Sequence, residues 1–292
     1  MCSGVIKENE KVTIPFEITE KAGYSIAITY SALKGRNVSP QIAISWDKPH
    51  ADNEDEIYDL PRTWTDVREG ERFKLDDYGN ELSPMPIEKK SEKTVVIMPQ
   101  NDSWKTGFAL SKGTHTLYLE MLQEQVEIKS VEVNKVTSLL SYKDYIDNAK
   151  NKYGTTDEGA QTIYKDAELL HEKSHLEVAV SYDRSSPNIH PSDPSRIRYN
   201  ILGGSSWSSA GQWVSYKVNV DKAGFYKFNI VYRQRTITGV DVRRRIYIDD
   251  VVPFNEFDCV LFPAEKSFTE LTPKSDNDEC YIYLDKGEHE IK

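Results

Sequence analysis

In the segment Asp221-Lys222-Ala223-Gly224-Phe225-Tyr226, continued by Phe228, Ile230 and Tyr232, apolar residues recur two apart behind an Ala-Gly turn. Successive side chains of an extended chain leave opposite faces, so this period marks a half-buried strand. Glu20-Lys21-Ala22-Gly23-Tyr24 repeats the turn, and Ile26, Ile28 and Tyr30 repeat the strand. A second pair of segments lies further along. Ser111-Lys112-Gly113-Thr114-His115-Thr116-Leu117 matches Asp285-Lys286-Gly287-Glu288-His289-Glu290-Ile291. Two matched turns in the same order predict two copies of one domain.

The same alternation runs through Val12, Ile14, Phe16 and Ile18, through Ile42, Ile44 and Trp46, through Tyr216, Val218 and Val220, and through Ile246 and Ile248. Gly, Pro, Asn and Asp separate these runs. Many short strands with such turns predict an all-β chain of tandem antiparallel β-sandwiches in jelly-roll form. The expected division is a first sandwich at 1–136, a helical linker at 137–159 and a second sandwich at 160–292, the two sandwiches separate and alike in topology. In the linker, Ser141 and Asp144 form a capping-box-like pair. Tyr142, Tyr145, Ile146 and Ala149 share one helix face, and Gly154 ends it. Residues 155–159 read as loop. Copy one runs on past its Lys-Gly-x-His turn through Val126-Glu127-Ile128-Lys129-Ser130-Val131-Glu132-Val133, whereas copy two reaches Lys292 before such a strand. The expectation is a fragment, with the first sandwich truncated at its start and the second at its end.

Composition narrows the function classes. Of 292 residues, 38% are hydrophobic, which suffices for packed cores and excludes global disorder. The net charge of −10 leaves no electrostatic footprint for nucleic acid. No apolar run approaches the roughly 18 residues of a membrane-spanning helix, so no direct membrane insertion is expected. Met1-Cys2-Ser3-Gly4 has neither a charged nor an apolar leader segment. Three cysteines make no disulfide framework. Cys259 and Cys280 lie in strand-like segments, and either pair or stand as two buried thiols.

One motif points to an enzyme. His171-Glu172-Lys173-Ser174-His175 fits H-E-x-x-H, in which two His on a helix bind zinc and the Glu is the base of a hydrolase. Leu176, Val178 and Val180 alternate directly after it, so the competing reading is a polar strand end with two solvated His, no zinc and no catalysis. There is no nucleophile elbow, P-loop or dinucleotide fingerprint, and no catalytic residue is assigned.

Aromatics beside planar polar groups suggest a different site. Sugar rings stack an apolar face on Trp or Tyr while Arg and Asn bond their hydroxyls. Trp207, between serines, is the leading candidate, with Tyr199, Arg196 and Arg198 as ligand-binding partners on the Gly- and Ser-containing stretch from Pro191 to Trp213. Trp213 begins a strand and reads as core. Trp64 and Trp104 fall in loop-like segments and are further stacking candidates. Arg233, Arg235, Arg243, Arg244 and Arg245 form a basic cluster, read either as a solvated edge or ion-pair ladder, or as a site for an anionic sugar.

Several of these stretches resemble carbohydrate-binding module families 6 and 35. They are Gly211-Gln212-Trp213-Val214-Ser215-Tyr216, Ala223-Gly224-Phe225-Tyr226 and Ile246-Tyr247-Ile248-Asp249-Asp250. Asp166-Ala167-Glu168 is similar to the acidic first-strand motif of those modules. A wider resemblance covers nearly the whole chain. Tyr182-Asp183-Arg184-Ser185-Ser186-Pro187, Pro194-Ser195-Arg196-Ile197-Arg198, Gly203-Gly204-Ser205-Ser206-Trp207, Pro253-Phe254-Asn255-Glu256 and Gly79-Asn80-Glu81-Leu82-Ser83-Pro84 resemble the tandem non-catalytic sandwiches of large bacterial extracellular solute-binding proteins associated with ABC sugar transporters.

This resemblance implies a galactose-binding-like fold and a bacterial extracellular or cell-surface location. It implies carbohydrate as ligand, with further domains of a longer chain and a transporter permease as partners. No cofactor and no metal are expected; the resemblance implies at most a structural calcium, for which Asp166 and Glu168 are the candidates, and Lys129 stands where copy one should supply an Asp. Two function classes follow, a carbohydrate-binding region or a spacer and interaction region that binds no glycan. Buried rather than exposed tryptophans favour the second.

Overall fold

The computed structural model describes residues 3–49, 56–70, 72–100, 105–154, 161–235 and 239–292. The chain is all-β in class, with many antiparallel strands and, among the described residues, one helix of real length, Tyr142–Tyr153. Among the described residues no helix is long and apolar enough to cross a membrane.

The first half folds as two facing sheets. One has the order Gly4–Ile6, Val126–Lys135, Ala22–Ala32, Lys93–Ile97, with Phe108–Leu110 also paired to Ala22–Ala32. The other has the order Lys11–Ile18, Gly113–Gln123, Gln41–Trp46, Ile57–Asp59. The alternating residues meet between them: Ile26, Ile28 and Tyr30 pack with Ile42, Ile44, Leu117 and Met121, all nearly or wholly removed from solvent. Burying such side chains stabilises the fold by about 1.5–3 kcal/mol each.

The second half reuses these pairings in the same register. Gly113 stands opposite Ile18, and Gly287 opposite Val220. Ala22 faces Leu110 as Gly224 faces Leu284. Trp46 faces Leu117 as Ile248 faces Ile291. Even a side-chain bond recurs: the Tyr24 hydroxyl donates to the Glu20 carbonyl at 2.9 Å, and that of Tyr226 to the Lys222 carbonyl at 2.6 Å.

The sequence reading expects two separate sandwiches, whereas the strand pairing joins the halves through one sheet. Residues 60–91 leave the first sandwich as an arm whose strands Trp64–Val67 and Met85–Glu88 join a sheet of the second half. The order of that sheet is Gly287–Ile291, Val214–Val220, Glu172–Lys173, Trp64–Val67, Met85–Glu88. Glu172–Lys173 is the bridging strand, bonded to Val214–Val220 on one side and to Trp64 on the other. An edge strand presents a row of unpaired N–H and C=O groups, and the arm satisfies them from within the same chain.

The helix follows its local signals. The Ser141 Oγ accepts from the Asp144 N–H at 3.1 Å, and Gly154 closes the helix at φ 85°. Its apolar face is not idle. Tyr142 is part of the second core with Phe254, Phe257 and Ile282, and Tyr145 and Ile146 pack against it. The Tyr142 and Tyr145 hydroxyls each accept a backbone N–H, from Tyr281 and Tyr283, at 3.1 Å. Cys259 and Cys280 are both free thiols, and burial pushes that of Cys280 up to about 12.

Candidate functional site

Three of the four expected ligand-binding residues lie on a seam between the halves. Residues 196–199 run against the arm at 79–81. Glu81 N–H donates to the Ile197 carbonyl at 3.1 Å, and Ile197 N–H to the Asn80 Oδ1 at 3.0 Å. Tyr199 N–H donates to the Glu81 carboxylate at 2.6 Å, and Arg198 Nη1 to the Gly79 carbonyl at 2.7 Å. The Tyr199 ring meets Phe73 edge to face, centroids 5.1 Å apart. Arg196 is exposed, but its guanidinium lies so close to Gly79 that a Cβ there would touch Nε at 3.4 Å.

The arm is shaped for this docking. Asp76 Oδ1 accepts the N–H groups of Tyr78 and Asn80 at 2.9 and 2.8 Å, and Asn80 Nδ2 donates to Asp76 Oδ2 at 3.0 Å. The turn is completed by Gly79 at φ 77°, a conformation open to glycine for want of a Cβ.

Trp207 sits apart from that seam. Its indole packs against a small core of Leu170, Val178 and Val214, and Nε1 donates to the Gln212 carbonyl at 3.4 Å. A Cβ on Gly203 would stand 3.0 Å from the Trp207 Cβ. The Arg244 guanidinium lies over the indole, 4.1 Å from the ring centroid. Trp207 is therefore half-buried, with an arginine on the ring where the sequence reading expects a sugar. Of the other tryptophans, Trp64 is 4% exposed and belongs to the shared sheet rather than to a loop. Trp213 is half-buried, with Lys93 and Lys292 over its ring at 5.8 and 5.4 Å. Trp104 lies outside the described residues.

The H-E-x-x-H segment forms no helix. Glu172 and Lys173 are strand residues whose side chains leave opposite faces. Glu172 accepts from Lys89 and from Lys93, and although burial raises its carboxyl, the two ammonium groups hold it below its ordinary value. Lys173 Nζ lies 2.8 Å from Asp66 Oδ1, a pair in which neither side chain is more than 3% exposed. His175 contacts the hydroxyls of Ser174 and Ser39 at 2.7 and 3.3 Å. Burial lowers His171 from its ordinary value. The segment thus joins the halves, with partners from the arm on both faces.

The acidic motif lies in a turn, not a strand. Leu169 N–H donates to the Asp166 carbonyl, Asp166 is exposed and Glu168 is buried. Burial first, then the charges of Asp166 and Glu81, raise the Glu168 carboxyl to about 7. Calcium takes six to eight oxygens. Among the described residues no three His, Cys, Asp or Glu side chains are grouped to hold a metal ion. The residues present do not fit the calcium that the resemblance implies.

The arginine cluster is divided. Arg233 pairs with Asp183 at 2.5 Å, Arg245 with Asp258 at 2.6 Å, and Arg235 and Arg243 are exposed. An open cavity of about 310 Å³ lies elsewhere, between Lys7, Lys34, Arg36 and Glu124, and its Arg36 is held by Glu124 and Glu8 at 2.8 and 2.9 Å.

Sequence reasoning missed Phe73, Asn80, Glu81 and Asp66 as partners of the second half. The arm carries a Gly-Asn turn and a short alternating run, but neither names the surface it docks on. Comparison of the chain with protein-family models, with curated proteins and with solved structures finds no match.

Proposed function

We propose that the chain is a rigid, non-catalytic scaffold of two tandem jelly-roll sandwiches of galactose-binding-like kind. The connection at 137–159 is packed on the second unit, and the chain serves as a spacer and interaction region. The bacterial extracellular solute-binding protein of an ABC sugar transporter is the setting that the sequence resemblance suggests for it. The observation that carries this reading is the seam. Tyr199 and Arg198 bond the arm, the buried Glu172 carboxylate pairs with Lys93, and Lys173 forms a fully buried ion pair with Asp66 across it. Side chains spent in this way hold two units in one orientation.

Glycan binding by the same chain is the second reading, supported by the resemblance to carbohydrate-binding modules. Calorimetry of the intact chain tests the scaffold. One cooperative transition is expected for the unaltered chain, and separate transitions for a Glu81→Ala/Lys173→Met variant. Two independent transitions in the unaltered chain would end the reading.

A further inference from the structure

Arg244 differs from every other arginine of its cluster. The strand Val242–Arg244 pairs with Val260–Phe262, and alternation turns Arg244 away from the exposed Arg243. Arg233 and Arg245 are each neutralised by a carboxylate. Arg244 is half-buried, and among the described residues no carboxylate or carbonyl pairs with it; its contact is the indole of Trp207. Burial lowers the guanidinium from its ordinary value, and no neighbouring charge opposes that.

A guanidinium set over an aromatic ring is attracted by the ring's negative face and keeps N–H groups for other acceptors, a fixed fork of donors suited to a carboxylate. The platform beneath is rigid. Ser206 Oγ accepts from Ala179 N–H at 3.1 Å and donates to the Gly203 carbonyl at 2.8 Å, which fixes the loop that carries Trp207. Ser205, Ser208 and Ser209 on that loop are exposed and offer hydroxyls.

We infer that Arg244, held over Trp207, is a binding site for the carboxylate of a hydroxylated monoanion, a sugar acid in chemical class. One uncompensated positive charge matches one negative charge, whereas a doubly charged anion calls for a second free cation beside it; of the two adjacent arginines, Arg245 is already neutralised and Arg243 leaves the opposite face of the strand. The exposed serines suit hydroxyl groups beside that carboxylate. Such a site does not depend on the two units moving as one body.

The test is titration of the intact, ¹⁵N-labelled chain, read at the Trp207 indole N–H, which Trp207→Phe assigns. The probes are glucuronate, glucose, acetate and inorganic sulfate. Glucuronate should move the signal saturably at roughly millimolar concentration, glucose should not move it, and acetate and sulfate should bind at least tenfold more weakly. Arg244→Gln should weaken glucuronate at least tenfold. Arg244→Lys, which keeps the charge without the fork, should fall between. Both variants should melt within about 3 °C of the unaltered chain. An equal response to glucose, undiminished binding by Arg244→Gln, or sulfate bound more tightly than glucuronate would overturn the assignment. So would a large fall in Tm for both variants with no glucuronate response in the unaltered chain, because Arg244 would then be a packing residue.

Discussion

The Nδ1 of His289 lies 2.7 Å from the Oδ2 of Asp249, and the pair is a copy of His115 and Asp47, also at 2.7 Å. In both, the second carboxylate oxygen accepts the N–H after the histidine, at 2.8 Å from Glu290 and 2.9 Å from Thr116. In both, Nε2 faces a carbonyl oxygen at 2.9 Å, that of Asp285 or Ser111. Both aspartates have positive φ, 49° and 60°. The device ties a left-handed turn to the strand that follows the Lys-Gly-x-His turn.

Stability should depend on pH through these pairs. Two acceptors around one ring suit the imidazolium, which donates from both nitrogens. His115 is raised above its ordinary 6.5, first by the bond to Asp47. For His289 burial is the largest effect and lowers it, but the bonds to Asp249 and the Asp285 carbonyl together raise it. Asp47 is held below its ordinary 3.8, first by the Thr116 N–H and then by His115. A raised histidine stabilises fully below its unfolded value and loses that contribution as pH rises through its folded value. A lowered aspartate does so above its unfolded value and loses it as pH falls. The contribution is therefore complete between about 4 and 6.5. Melting temperature should fall as pH is raised from 6 to 8, and an Asp47→Asn/Asp249→Asn variant should lose part of that fall.

Glu168 should add a separate fall at lower pH. Its carboxyl is raised from 4.5 to about 7, so its stabilising, protonated form is complete below 4.5 and is lost as pH rises through 7. Glu168→Gln should therefore raise Tm at pH 8 and leave it unchanged at pH 4, as thermal melting at the two pH values will record.

The Lys173–Asp66 pair should be costly to break from one side. Lys173 Nζ directs its hydrogen bond to the Val178 carbonyl at 2.7 Å, so the Asp66 oxygens rely on its charge rather than on an aligned donor. Removing one partner of a buried pair leaves an uncompensated charge and destabilises by about 3–5 kcal/mol. Lys173→Met should show that loss in urea denaturation, and adding Asp66→Leu should recover most of it.

The helix cap can be tested alone. Ser141→Ala removes the oxygen that accepts the Asp144 N–H and should destabilise by about 1 kcal/mol. Because the helix face belongs to the second core, the loss should appear in the global transition rather than as local fraying.

Short-range patterns carried most of what the amino-acid sequence by itself determined: the all-β class, the duplicated turns, and the Ser141 to Gly154 helix. Alternation, capping and turn residues act within a few positions, so their physics is complete in a local segment. Val12, Ile14 and Phe16 alternate with polar residues and face the first core as that pattern requires. Only the tertiary structure decided what Trp64, Tyr199, Arg198, Lys173 and Trp207 do. Each is read from sequence as exposed, polar or ambiguous, because its environment depends on which distant segment covers it. The arm at 60–91 docks through hydrogen bonds to residues from 83 to 119 positions later, burying Trp64 and turning three expected sugar ligands into seam residues. A charge such as Lys173 can enter the interior only when its partner arrives from elsewhere in the chain, and no local pattern announces the arrival of Asp66.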